Sequence, residues 1–186
     1  MTKKRCAWVK LSDETYVKYH DEEWGKPLHD DRALFELFSL ETQSAGLSWL
    51  TILKKRENYR KAFKNFELSF VSNLTCKDID EIMLQKVIKN RAKIASIINN
   101  AKLFEEIIKE FGSIDNFFWS YVDNTPIVNH IEDSKTAHTS SPISDSLTKA
   151  LKKRGFKFVG TITIYAFMQA CGMVNDHKMD CWCKNI

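Results

Sequence analysis

Glycine and proline are so scarce in this sequence that they limit the folds open to it. The chain has 6 Gly and 3 Pro in 186 residues, so the two make up about 5% of it, against roughly 12% in average proteins. This composition excludes collagen-like and low-complexity classes. A sandwich or barrel of many short strands needs turn residues at each reversal, so helices joined by short loops are expected instead.

Capping residues and apolar spacing divide the chain into a series of predicted helices. The expected ranges run from Ser12 or Asp13 to about residue 22, and then over 31–45, 48–63, 75–84, 91–111, 113–122 and 142–154. The β-branched segment 161–165 is also interpreted as helical, because a lone strand there would have no partner. Residues 123–141 form the longest predicted loop. The sequence therefore predicts an all-α fold.

Charge and cysteine content limit the partners and the compartment. The net charge of +4 permits binding to a polyanion without demanding it. The N-terminus lacks the apolar run of a signal peptide, and no apolar run reaches membrane-spanning length. We expect a cytoplasmic protein with no membrane partner. The five cysteines are odd in number, so metal binding or burial is expected for them rather than a disulfide framework.

A mixed set of cysteines and histidines could bind a metal ion. His177 and Cys181 are spaced like ligands on one helical turn, and Cys6 and His20 are the other candidates. Two Cys and two His form a closed tetrahedral zinc site, which is structural because no position remains for water. Spacing alone slightly favours a coincidence of packed or exposed residues over such a site. Cys183 is an alternative fourth ligand.

One carboxylate occupies a position where an apolar side chain is expected. Leu34, Phe38, Glu41 and Ala45 follow the spacing of one helix face, so Glu41 lies on the stripe that should face the core. A buried carboxylate costs several kcal/mol, by order of magnitude, unless it is paired or hydrogen-bonded. The alternative is a broad apolar stripe with Glu41 at its solvated edge.

Aromatic residues are expected close to this carboxylate. Tyr16 and Tyr19 lie one turn apart on the first helix, and Trp49 follows the turn that ends the helix of the carboxylate. Tyr and Trp rings around a carboxylate can stack a planar base while the carboxylate accepts its amino hydrogens. The alternative is ordinary core packing, which is our interpretation for Trp8 and Trp24.

Three basic clusters are candidate contacts for phosphates, although a single cluster is often only a solvated face. The clusters are Lys54, Lys55 and Arg56; Lys86, Lys89, Arg91 and Lys93; and Lys149, Lys152, Lys153, Arg154 and Lys157. The second cluster precedes a helix N-terminus, where backbone N–H groups also attract anions.

Several long segments together resemble one known family. They are CAW at 6–8, YHDEEWG at 19–25, LETQSAGLSW at 40–49, KKRENYR at 54–60, LKKRGFKFVG at 151–160 and FMQACGMVNDH at 167–177. On these segments the chain resembles the 3-methyladenine DNA glycosylases I, zinc-containing members of the helix-hairpin-helix glycosylases, over nearly its whole length. The resemblance implies a monofunctional DNA repair hydrolase that acts on double-stranded DNA containing 3-methyladenine. We expect this protein to be a monomer.

The resemblance also implies an organisation for the chain. Residues 1–186 would form a single glycosylase domain. One lobe, about 1–30 and 160–186, would hold one structural zinc ion that staples the chain ends, and the other, about 31–159, would carry a hairpin near 84–94. The implied zinc ligands are Cys6, His20, His177 and Cys181.

Roles for the site residues follow from the same resemblance. Glu41 would be the catalytic residue, recognising the damaged adenine and giving electrostatic support. Tyr16, Tyr19 and Trp49 would stack the base. Gly46 and Leu47 would be the wedge that fills the gap left by the flipped nucleotide.

The hairpin is where the sequence departs from the family pattern. Residues 83–91 contain no glycine and are about one residue shorter than in the family. A catalytically degenerate, zinc-stapled helical DNA-binding module is therefore the alternative function.

Overall fold

Helices account for most of the backbone in the computed structural model, which describes residues 3–133 and 137–185. They are α1 Glu14–Glu22, α2 Asp31–Ser44, α3 Trp49–Leu53, α4 Arg56–Ala62, α5 Leu68–Ser72, α6 Cys76–Leu84, α7 Arg91–Phe111, α8 Ile114–Trp119, α9 Pro142–Lys153 and α10 Thr161–Ala170. The predicted helical fold is confirmed, including α10 with its β-branched start. No helix within the described ranges combines the length and apolar character needed to cross a bilayer.

Side-chain caps fix the start of several helices where the sequence predicted them. Asp13 accepts from the backbone N–H of Tyr16, and Asp30 accepts from that of Ala33. At α6, the Thr75 side chain and Asp78 form a reciprocal capping box. Such caps satisfy backbone donors that the helix leaves unpaired, so local sequence determines these boundaries.

Two predictions about elements were wrong. The helix expected over 48–63 is divided into α3 and α4 at Lys54 and Lys55. The loop expected over 123–141 contains β1 Ile127–Val128, which pairs in parallel with β2 Val174–Asn175. A two-residue strand carries no readable alternation, and its partner is distant in sequence, so the pattern could not reveal it. Residues 134–136 of that loop lie outside the described residues.

Helix α2 is buried along most of its length and passes through the core. The Phe38 ring in the middle of α2 lies 5.1–5.8 Å, between centroids, from four other phenylalanine rings. These partners are Phe104, Phe118, Phe156 and Phe167. Edge-to-face and tilted pairs of this kind fix the position of a helix. The next turn of α2 carries Glu41, so a rigid element positions this carboxylate.

A cluster of buried charges joins α2 to α4 and to the end of α1. Glu36 of α2 is 7% exposed and accepts from Arg56 Nε at 2.5 Å and from Arg60 Nη2 at 2.8 Å. Arg56 also donates to Glu23 at 2.5 Å. Arg56, the first residue of α4, is therefore held by two carboxylates directly after the break at 54–55.

Replacing Glu36 with glutamine should destabilise the fold by about 3 kcal/mol, because two arginines then lose a buried carboxylate partner. Urea unfolding monitored by circular dichroism measures this loss. Glu57 is the matched control, since it also binds Arg60 but its side chain is 71% exposed. The Glu57→Gln variant should lose less than about 0.5 kcal/mol, and equal losses in the two variants would contradict the account.

Candidate active site and metal centre

A cavity of about 310 Å³ opens between the start of the chain, the end of α2 and the C-terminal segment. It is lined by Cys6, Ala7, Trp8, Tyr16, Tyr19, Trp24, Glu41, Ser44, Leu47, Trp49, Ile131, Ala137, Ala166, Gln169, Asp176 and Lys178. The carboxylate and the three aromatic residues predicted to contact a base are all in this wall. Leu47 is there too, and Gly46 precedes it outside the lining.

Glu41 is the buried carboxyl group of the cavity. The residue is 5% exposed, so its side chain is a buried carboxylate and does not lie at a solvated edge of α2. Burial raises the pKa of Glu41 to about 8, against a weaker opposing effect of a hydrogen bond from Ser44 Oγ at 3.4 Å. At neutral pH the carboxyl group of the free protein is therefore mostly protonated, and an incoming cation would favour its ionised form.

Aromatic side chains surround this carboxyl group. The Tyr19 ring is buried, and its centroid lies 5.4 Å from that of Trp49. Tyr16 is half-buried, 5.1 Å from the Trp8 ring, and burial together with the charge of Glu41 raises its pKa. These rings offer flat apolar faces of the size that a purine needs.

Trp8 was interpreted as core, and this interpretation was incomplete. The side chain is half-buried and lines the cavity beside Tyr16. Trp24 is 8% exposed and packs edge-on against Trp8, with ring centroids 4.9 Å apart. Trp24 therefore belongs to the core as predicted, while it also reaches the cavity wall.

A second carboxylate lines the cavity and was missed in the sequence. Asp176 is buried and accepts from Tyr165 Oη at 2.9 Å, Gln169 Nε2 at 2.7 Å and Asn129 Nδ2 at 2.7 Å. Asn129 comes from the stretch read as loop, where no pattern pointed to a partner. Three neutral donors hold this carboxylate in one orientation.

A tight turn connects the helix of Glu41 to α3. Ala45 has φ −48° and ψ 114°, Gly46 has φ +75°, and the Leu47 N–H donates to the Ser44 carbonyl at 2.7 Å. These values describe a type II turn, which needs glycine at its third position. The turn leaves the Leu47 side chain 43% exposed at the cavity rim.

The four predicted metal ligands come together in a buried group, of which Cys6 also lines the cavity. His177 Nδ1 lies 3.5 Å from both Cys6 Sγ and Cys181 Sγ, and His20 Nε2 lies 3.5 Å from Cys181 Sγ. All four residues are buried, and their ligand atoms lie within 4.8 Å of one another. In a zinc tetrahedron, bonds of about 2.0–2.3 Å separate ligand atoms by roughly 3.3–3.8 Å. The donor set and its spacing therefore fit a tetrahedral metal ion.

The remaining ring nitrogens of both histidines are held by hydrogen bonds. His20 Nδ1 lies 2.8 Å from Asp21 Oδ1, and Arg5 in turn holds Asp21 through a bond of 2.6 Å. His177 Nε2 lies 3.0 Å from the Trp24 carbonyl oxygen. Partners of this kind orient histidine for a metal. Burial lowers the pKa of His177 to about 4, so its imidazole is neutral and can act as a ligand.

Cys183 was the alternative fourth ligand, and it lies apart from the four. Its Sγ is 3.9 Å from His20 Nδ1, the nitrogen that Asp21 already contacts. The geometry therefore brings Cys181 into the group rather than Cys183.

The basic clusters are only partly available to a ligand. Arg56 is held by Glu23 and Glu36, and Lys93 is 6% exposed, so both were wrongly predicted as phosphate contacts. Lys86 and Lys89 are exposed in the connection 85–90 between α6 and α7.

Comparison with known proteins gives full-length matches. A family model described as methyladenine glycosylase matches residues 8–184. The DNA-3-methyladenine glycosylase of Haemophilus influenzae is 48% identical, with 97% of both chains covered. DNA-3-methyladenine glycosylase 1 of Escherichia coli is 46% identical, with 96% of both covered. One solved structure of 3-methyladenine DNA glycosylase I, from Staphylococcus aureus, is described as the structural basis of 3-methyladenine recognition by that enzyme. It superposes on this chain with a TM-score of 0.93 at 41% sequence identity, and the match covers 97% of this chain and 96% of the other.

Proposed function

Because the chain belongs to the methyladenine glycosylase family, we propose that it removes 3-methyladenine from alkylated DNA by hydrolysing the N-glycosidic bond. The observation that carries this proposal is a buried carboxyl group, Glu41, in the wall of an aromatic cavity of about 310 Å³. A cavity of this size and lining suits a planar base that has left the helix stack.

Glu41 and the aromatic rings would read the base together. Methylation at N3 gives the purine a positive charge while it is attached to the sugar, and this charge favours the ionised form of the carboxyl group. Tyr16, Tyr19 and Trp49 would stack on the ring. An unmethylated, neutral adenine would lack the charge that compensates the burial of the carboxylate.

The chemical step needs little from the protein beyond binding and electrostatics. As the N-glycosidic bond breaks, its electron pair goes to the base, which leaves as neutral 3-methyladenine. Positive charge passes to the sugar until water adds to it and loses a proton. A carboxylate beside the base would favour the flipped, cationic nucleotide over the stacked one, which raises the population from which the bond breaks. The product is an abasic site.

Duplex binding would depend on the turn and the connection that face away from the core. Leu47, exposed at the cavity rim, would enter the stack beside the flipped nucleotide, and Gly46 provides the turn that presents it. Residues 85–90 between α6 and α7 would be the hairpin of a helix-hairpin-helix element, with Lys86 and Lys89 near phosphates. We place the enzyme on double-stranded DNA, as a monomer in the cytoplasm.

One structural zinc ion is proposed at Cys6, His20, His177 and Cys181. Bound zinc would cross-link the ends of the chain and would take no part in the reaction, because the four ligands fill a tetrahedral shell. Within a single domain, 1–30 and 160–186 would form the lobe that holds the ion, and 31–159 the other lobe. The proposed ligand Cys6 lines the cavity together with Ala7 and Trp8, so the ion would stabilise that wall.

Release of the base tests the function. DNA methylated with a radioactive methyl donor is incubated with stoichiometric protein, and the soluble products are separated by chromatography. Free 3-methyladenine and a matching number of abasic sites are expected. Duplex binding with no free 3-methyladenine would instead support the non-catalytic DNA-binding module.

A further inference from the structure

Lys93 is a buried lysine that has no role in the proposed base recognition, bond cleavage or zinc binding. Its side chain is 6% exposed and reaches from the first turn of α7 to the C-terminal end of α2. The Nζ atom donates to the carbonyl oxygens of Gln43 at 2.8 Å and Ala45 at 2.6 Å. Both acceptors lie where a helix leaves its carbonyl groups unpaired, and a cation is favoured there.

The Ala45 carbonyl determines the form of the turn that carries Leu47. It belongs to the central peptide of the type II turn over residues 44–47. Type I and type II turns differ mainly by a rotation of this peptide, which reverses the direction of its carbonyl group. The bond from Lys93 to the Ala45 oxygen therefore favours one of two discrete forms of the turn.

A series of hydrogen bonds connects this lysine to the proposed hairpin. The Ile88 N–H donates to Tyr59 Oη at 3.3 Å, and Tyr59 Oη donates to Gln43 Oε1 at 3.3 Å. Gln43 Nε2 then donates to the Lys93 carbonyl at 2.9 Å. Tyr59 and Gln43 are fully buried, so water cannot replace these bonds without disturbing the core. A change at residues 85–90 can thus reach the turn through contacts that are already formed.

Accepting the proposed role of Leu47 as a wedge, we propose that Lys93 is a positioning residue that holds the 44–47 turn in its inserting form. Tyr59 and Gln43 couple this turn to the hairpin, so that contact of the hairpin with DNA and insertion of Leu47 depend on each other. The physical basis is a turn with two discrete forms, which both Lys93 and the hairpin bias.

Replacing Lys93 with methionine separates this role from general stability. Single-turnover excision from a methylated duplex should slow about 20-fold, because a misplaced Leu47 lowers the rate even though the residues that contact the base stay in place. Affinity for free 3-methyladenine, measured by quenching of the cavity tryptophans, should stay within about twofold because no cavity residue changes. Tyr59→Phe should slow excision about fivefold with the same retained affinity.

Tyr121 provides the matched control for Tyr59. It is half-buried against the Phe117 ring, with a centroid distance of 5.6 Å, and lies outside the series. Tyr121→Phe should leave both excision and free-base affinity unchanged. If Lys93→Met fails to fold by circular dichroism, Tyr59→Phe decides alone.

Two results would overturn the coupling. One is excision by both variants within about twofold of the unchanged protein, and the other is an equal loss of excision and of free-base affinity. Failure of the unchanged protein to release 3-methyladenine from the same DNA would contradict the proposed function instead, so the two failures are distinguishable.

Discussion

Replacing Glu41 with glutamine is expected to slow excision of 3-methyladenine about 10- to 100-fold while it stabilises the fold at alkaline pH. Glutamine keeps the shape of the side chain and removes its ability to ionise beside a cationic base. Hydrogen bonds to charged groups contribute about 1.5–3 kcal/mol, which corresponds to this loss in rate. Single-turnover excision from a methylated duplex measures the activity.

The gain in stability should depend on pH. The Glu41 carboxyl group has an ordinary pKa of 4.5, and burial raises it to about 8 in the folded protein. Between these values the folded chain binds the proton more tightly than the unfolded chain, so the free energy of unfolding falls as pH rises. The Glu41→Gln variant lacks this titration. Its advantage should be small at pH 5 and on the order of 4 kcal/mol at pH 8, at about 1.4 kcal/mol per pKa unit.

Urea unfolding of the Glu41→Gln variant and of the unchanged protein at pH 5 and pH 8 measures the difference in their free energies of unfolding. The contributions of the other titrating groups cancel in this difference. Glu106→Gln, at an exposed position of α7, is the control and should change neither activity nor pH dependence. A stability difference between the Glu41→Gln variant and the unchanged protein that is independent of pH would contradict burial of an ionisable carboxyl group at Glu41. Full activity in that variant would contradict its role in excision.

Replacing Cys6 with serine is expected to remove the proposed zinc ion and to lower the melting temperature by tens of degrees. Structural zinc binding contributes about 10–16 kcal/mol in small zinc-finger peptides, and about half of that is already comparable to the stability of a typical domain. His177→Ala should have the same effect. Elemental analysis of protein purified without chelator, together with thermal unfolding, measures both quantities.

Cys183→Ser distinguishes a metal ligand from a buried cysteine. Cys183 is 3% exposed and Cys6 is 4% exposed, but only Cys6 belongs to the group of four. Cys183→Ser should therefore keep one zinc ion per chain. Unchanged protein that contains no zinc, or zinc retained after Cys6→Ser, would refute the assignment.

Much of the fold follows from local signals in the sequence. Caps such as Asp30 and the Thr75 box lie beside the backbone groups they satisfy, so position in the chain is enough to predict them. The division between α3 and α4 could not be predicted in this way, because residues 48–63 contain neither glycine nor proline to mark a break. The pairing of β1 with β2 depends on residues far apart in the sequence.

The site residues also differ in whether the local sequence could reveal them. Glu41 was identified because a carboxylate interrupts an apolar stripe, which is a periodic signal within one helix. Asp176 gave no such signal, since its three donors come from α10 and from the stretch after β1. A run of basic residues does not reveal which of them turn inward, so Lys93 was assigned to phosphate although it holds the turn beside Leu47.

The most direct test of the central claim, that the cavity around Glu41 reads the damaged base, is a crystal structure with free 3-methyladenine. We expect the purine between the rings of Tyr16 and Trp49, with one of its nitrogens about 3 Å from a Glu41 carboxyl oxygen. A base bound elsewhere, or bound in the cavity without contact to Glu41, would contradict the claim.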